Sequence, residues 1–330
     1  MYYLIGTDEA GYGPNLGPLA VTATLWRVED DSLEPENLFD ALRPVVVTSA
    51  GKGKGTEIPI ADSKKLHRHE TLEPLERGIF ASLYALGWVT EKPLETARFC
   101  DLICGQDFVS ERQSVLWHTP ETEEKLPRNL MWNRVLELGE ALKRVMTQSG
   151  VRLSGIQSEL VFPRRFNDGV EAVNSKGVFL SDTTLGLIAR FWKEVNQNIE
   201  EKPEVRVFCD KHGGRNFYLP TLMDFFPGLP FCVVKEGREA SEYVHYGERA
   251  DLRIRFQAKG EALLPVALAS MVSKYLREIS MERFNTWWLA RIPGLLPTAG
   301  YPLDAKRFRL EISEKMEELK IDWREMWRNR

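Results

Sequence analysis

The chain has 330 residues, 43% of them hydrophobic and 28% charged, which is enough apolar material for one large core or two. Its net charge of −4 excludes a protein that grips nucleic acid over its whole surface, but leaves room for a local basic groove. It has no apolar run long enough to span a bilayer and no basic-then-apolar leader, so a cytoplasmic location without membrane contact is expected.

Residues 2–6 form a short apolar run that reads as a buried strand. It ends in two adjacent carboxylates, Asp8 and Glu9, and the turn that follows holds Gly11, Gly13 and Pro14. Neighbouring strand side chains point to opposite faces, so this pair shares one site only if the backbone twists, which the glycines permit. Carboxylates so placed repel unless a cation lies between them, and hard oxygen ligands favour Mg²⁺ or Mn²⁺. A solvated strand end with a capping Asp is the plainer alternative.

Residues 19–26 read as a second strand and 29–60 as an exposed loop that ends in the Gly/Lys run 51–55. Asp62 or Ser63 is placed to cap a helix through Leu66, Leu72 and Leu75. The stretch 79–91 is strand-like towards its end, yet rich enough in alanine for a helix. Residues 93–182 read as an insertion, a small helical subdomain in which 130–146 has helical spacing. Cys100 and Cys104, four apart, share a helical face rather than a zinc ion. Ser181-Asp182 caps a helix to about residue 195. A buried strand at 205–209 ends at Asp210, a second strand lies at 231–234, and 249–260 alternates like a half-exposed one. Helices follow at 262–284 and 312–327, the latter within a C-terminal extension, 281–330, expected to pack on the core. Periodicity alone supports α/β and no more.

Five short patterns stand in a fixed order after the opening strand-turn. They are Ala61-Asp62-Ser63-Lys64-Lys65-Leu66, Phe208-Cys209-Asp210, Lys259-Gly260-Glu261, the helix stretch from Ala267 through Ser270 and Ser273 to Lys274, and Gly300-Tyr301-Pro302. In this order they resemble the type 2 ribonucleases H, the ribonuclease HII group, which carries G-x-D-E-x-G-R-G-P, D-S-K-K-L, a strand ending in Asp-Gly, K-(A/G)-D, S-A-A-S-I-x-A-K and G-Y-x-T. The resemblance runs from Gly6 to Pro302 with long unmatched stretches between. It implies a single ribonuclease H-like domain over 1–330, a mixed five-stranded sheet with helices on both faces; separately, a monomer is expected. It also implies an endonuclease that cuts the RNA strand of RNA–DNA hybrids, or at embedded ribonucleotides, with Mg²⁺ or Mn²⁺.

Asp8, Glu9 and Asp210 match the first three of the family's four acidic residues. Independently, two-metal phosphodiester hydrolysis needs about three or four carboxylates from separated parts of a chain. Glu261, four residues before Pro265, is the expected fourth, with Glu236 and Glu239 as rivals; Glu278 is expected to be structural. The family's G-R-G turn is Gly11-Tyr12-Gly13 here, so its backbone can still sense a 2′-hydroxyl while the guanidinium contact is lost. Tyr12 is left to stack on substrate or to pack on the surface. Tyr301 matches the tyrosine that stacks on the deoxyribose beyond the junction, with Leu303 in place of the Thr that should follow. Lys64 matches a lysine near substrate phosphate. Arg215, in the loop after Asp210, is a phosphate clamp or part of a plain loop. A nuclease acting on another nucleic-acid structure and a silent nucleic-acid-binding protein are the alternatives.

Overall fold

The computed structural model describes residues 1–50, 55–66, 71–197, 202–212, 214–258 and 260–329. Lys259 and most of the Gly/Lys run, 51–54, lie outside these. The main sheet has strands β1 (Tyr2–Ala10), β2 (Leu19–Val28), β3 (Val151–Val161), β4 (Glu204–Cys209), β5 (Cys232–Lys235), β6 (Ala240–Tyr246) and β7 (Asp251–Gln257). Their spatial order is β3-β2-β1-β4-β7-β6-β5. β1, β4 and β7 run parallel, and the remaining pairs are antiparallel.

The expected five-stranded sheet is therefore corrected to seven strands. The strands not expected from sequence are β3 and β6, the latter forming a hairpin with β5 outside β7 through the 236–239 turn. A second difference concerns 93–182. Its last third contains β3, which pairs with β2 from Leu19–Val161 to Val28–Val151 and so belongs to the main sheet. The helices at Thr96–Cys104 and Trp132–Ser149 share a core with the rest of the chain: Phe99, Ile103, Leu138 and Leu142 pack in the same cluster as Leu4 and Trp26. Cys100 and Cys104 are both buried there, and burial pushes the Cys100 thiol up to about 12.

Alternation along β1 and β2 divides the side chains between two cores. Leu4, Ala20 and Trp26 face one, while Ile5, Val21 and Leu25 face the other. On the first face lie α1 (Ser63–Leu66), α2 (Glu73–Ala85) and α3 (Leu264–Leu289); on the second lie Pro163–Val173 and Lys176–Gln197. Residues 79–85 are thus helical. The helix expected from Ser181 begins at Lys176, because the Ser181 hydroxyl bonds back to the Gly177 carbonyl (2.9 Å) inside the helix instead of capping it. At the C-terminus the helix is Pro302–Glu318, ended by Lys320 in the left-handed region, and a short turn at Trp323–Glu325 follows. No helix among the described residues is long and apolar enough to cross a membrane.

Gly6 sets the distance between sheet and helix. A Cβ there would lie 2.3 Å from the Pro265 carbonyl carbon and 2.4 Å from the Val266 nitrogen, so the first turn of α3 rests directly on β1. Thr24 Oγ1 donates to the Pro265 carbonyl (2.8 Å) and fixes that contact.

Candidate active site

Three parallel strands bring acidic residues to one edge of the sheet, the place where open α/β sheets carry their sites. β1 ends in Asp8 and Glu9. β4 pairs Cys209 with Thr7, so Asp210 follows at the same end. β7 pairs Phe256 with Cys209, and the chain leaving it turns through Gly260–Ala262, bearing Glu261, into α3.

The charges of Asp210 and Glu261 reach the buried pair Asp8 and Glu9. Burial holds the Asp8 carboxyl well above its usual range, and the charges of Glu9 and Glu261 push the same way against a hydrogen bond from Ser270. Burial also pushes Glu9 up to about 7, with Asp210 and Glu261 adding to it and Lys64 opposing. Glu261 is the candidate fourth acid whose charge reaches both Asp8 and Glu9. Glu236 lies in the turn outboard of β7, where it accepts the Tyr243 hydroxyl, and Glu239 is exposed in the same turn. Glu278 pairs with Lys274 (2.6 Å).

Hydroxyls on α3 position this edge. Ser270 Oγ lies 3.0 Å from Ser63 Oγ and accepts from the Ser63 amide (3.3 Å), tying α1 and its Lys64 to the helix that also bonds Asp8. Ser273 Oγ donates to the Asp8 carbonyl (3.0 Å) and lies 2.8 Å from Thr22 Oγ1. Ser63, Ser270 and Ser273 were not singled out as site residues from sequence. Their signal was polar residues three apart on an otherwise apolar helix, inside two of the matched patterns.

The glycine turn and Gly300-Tyr301, from opposite ends of the chain, meet beside the acidic edge. Gly11 has φ +84 and its missing Cβ leaves space for Arg277, whose side chain would lie 2.6 Å from it. The amide of Asn15 donates to the Gly300 carbonyl (2.9 Å). Arg277 donates to the Ala299 carbonyl (2.8 Å) and lies 5.8 Å from the ring centroid of Tyr301, which is exposed. Gly13 is open to solvent, and Tyr12 is half-buried with Lys176 Nζ 4.5 Å over its ring. Arg215 donates to Thr221 Oγ1 (3.0 Å) and Ser181 Oγ (3.4 Å), tying the loop after Asp210 to two helices.

Among the described residues, no group of three His, Cys, Asp or Glu side chains already stands close enough to enclose an ion. The donor set is nonetheless all-oxygen and mutually repelling, which is the chemistry a hard divalent cation relieves. The ordinary pKa of Glu9 is 4.5 and its folded value about 7, so the stability tied to its proton is complete below 4.5 and lost as pH rises through 7. The metal-free melting temperature should fall across that window, and Mg²⁺ or Mn²⁺ should restore it at neutral pH. A melting temperature indifferent to both pH and cation would reject metal binding by this pair.

No known protein-family model matches the chain, and no curated protein matches it. Among solved structures it aligns with ribonuclease H2 from Pyrococcus horikoshii OT3 at 13% identity, over 98% of this chain and 92% of that one, with a TM-score of 0.42. The chain is similar in structure to ribonucleases HII and HIII. The RNase HII of Archaeoglobus fulgidus, solved in complex with PCNA, aligns at 15% identity over 98% of this chain and 92% of that one, with a TM-score of 0.41. Bst-RNase HIII in complex with Mn²⁺ aligns at 14% identity over 99% of this chain but 66% of its own length, with a TM-score of 0.42. Likeness to ribonucleases HII and HIII at these values assigns no role to any residue.

Proposed function

We propose that this chain is a metal-dependent endonuclease of the ribonuclease H type that hydrolyses the RNA strand of RNA–DNA hybrids or cuts at embedded ribonucleotides. The observation that carries the reading is that the charges of Asp210 and Glu261 converge on the buried pair Asp8 and Glu9 at one edge of three parallel strands. These four residues would hold Mg²⁺ or Mn²⁺, which when bound supplies an activated water and stabilises the leaving oxygen. Ser270 and Ser273 hold Asp8 in place. The backbone groups of Gly11 and Gly13 sense the 2′-hydroxyl that separates RNA from DNA. Tyr301, exposed beside the turn, stacks on the sugar beyond, and Lys64 lies towards substrate phosphate.

The test is cleavage of a uniform hybrid, a duplex with one ribonucleotide and a plain DNA duplex, each with Mg²⁺ and with Mn²⁺. The first two should be cut and the third left intact, and Tyr301→Ala should depress the single-ribonucleotide substrate most. Equal cleavage of the DNA duplex favours a nuclease of other specificity. Binding without any cleavage favours a silent nucleic-acid-binding protein.

A further inference from the structure

Behind Tyr12 lies a group of cations with no part in the chemistry above. Lys176 begins the helix Lys176–Gln197, with its Nζ 4.5 Å over the Tyr12 ring and 5.7 Å over that of Phe166. Arg328 reaches the same place from the other end of the sequence and is fully buried. Its amide donates to the Asn15 carbonyl (2.8 Å) and its Nη2 to the Pro14 carbonyl, while Nε and Nη1 are buried without a hydrogen-bond partner and the guanidinium lies 4.8 Å over the Phe166 ring. Arg277, beneath Gly11, likewise has a buried Nε without a partner. The segment that delivers Arg328 is pinned down: Trp327 bridges to Leu16, and Asn167 donates to the Trp327 carbonyl (2.8 Å).

These charges repel one another. Burial pushes Lys176 down to about 8, with Arg328 adding to it, and pushes Arg328 down to about 9, with Arg277 adding to it. No carboxylate of the described residues offsets either. Lys176 and Arg328, held together under a half-open tyrosine with no carboxylate offsetting them, form a site for an anion, while Arg277 has Glu278 3.8 Å away. Tyr12 lies close enough to Glu9 to feel its charge, so that anion would lie next to the acidic edge.

We propose that Lys176 and Tyr12, backed by Arg328 and Arg277, clamp a backbone phosphate of a nucleic-acid strand beside the acidic edge. The inference rests on the reading of the chain as acting on nucleic acid. Lys176 thereby supplies positive charge from a neighbouring helix to a turn, residues 11–15, that carries no cation of its own. Arg328 and Arg277 stay buried and act by their field, whereas Lys176 is half-exposed and makes the contact.

The experiment measures equilibrium binding of an RNA–DNA hybrid and a DNA duplex to the full chain in EDTA over a range of KCl. It compares wild type with Lys176→Met and Lys176→Arg. Lys176→Met should weaken both duplexes by about tenfold or more. It should lower the slope of log K against log salt by about 0.9, the share of one phosphate contact. Lys176→Arg should keep affinity and slope. The melting temperature of Lys176→Met should hold or rise, because an unpaired half-buried cation has been removed. An unchanged slope in Lys176→Met overturns the clamp, as does a loss of stability with affinity intact. If wild type binds neither duplex, the functional reading falls together with the clamp. If wild type binds but does not cut, the clamp stands and only the nuclease reading is lost.

Discussion

Asp8→Asn and Asp210→Asn should each reduce cleavage by roughly 10³-fold or more, the scale expected when one member of a unit that acts together is removed. Asparagine keeps the shape of the side chain and gives up the charge that holds a divalent cation. The fold should survive. Asp8 is buried with its carboxyl held above the usual range by burial and by Glu9, so neutralising it removes a repulsion, and Asp8→Asn should melt no lower than wild type without metal. Initial rates with Mn²⁺, together with thermal melts, check both halves. Glu261→Gln should behave in the same way. If Glu236→Gln abolished cleavage while Glu261→Gln did not, the fourth ligand would move to the turn outside β7.

Two of the three strands that build this edge are legible because each is an apolar run ended by an acid. β1 and β4 are of that kind, and the Leu252, Ile254, Phe256 alternation marked β7. β3 was not, and its residues were assigned to an insertion. It is an edge strand whose Arg152 and Ser154 are exposed, and it matched no family pattern. β6 was missed too: Ala240–Tyr246 places Tyr243 and Val244 side by side in the core, so no simple alternation shows. With β6 unseen, the strand at 231–234 had no partner, and the five strands implied by the resemblance could not be corrected.

The site divides along the same line. Its charged residues could be named from sequence because acids and glycines at a strand end carry a local signal. The contacts that position them could not. Ser63 and Ser270 are 207 residues apart, and Asn15 and Arg328 are 313 apart. No periodicity reports a hydroxyl pair or a buried guanidinium brought together over such distances. Arg215 is a further case: its hydrogen bonds to Thr221 and Ser181 join a loop to two helices, which no local pattern reports.

Gly6→Ala should be the most disruptive single-methyl change near the site. The added Cβ would meet backbone atoms of Pro265 and Val266, which cannot swing aside as a side-chain tip can. Relief requires the first turn of α3 to lift off β1, against the Thr24 hydrogen bond to the Pro265 carbonyl. Overpacking of this kind costs about 1–3 kcal/mol and sometimes more, and the upper end is expected because backbone must move. The consequence reaches the chemistry, since Glu261 precedes that turn and Ser270 follows it on the same helix. A shift of about 1 Å in a positioning element can lower a rate by about 10²-fold. Urea titration should show a lower midpoint, and the activity that remains after correction for the folded fraction should still be depressed. Gly13→Ala is the control for stability: no atom lies within 4 Å of its Cβ, so its midpoint should stay near that of wild type. A Gly6→Ala protein as stable and as active as wild type would mean that the close seat of α3 on β1 does not set the geometry of the acidic edge.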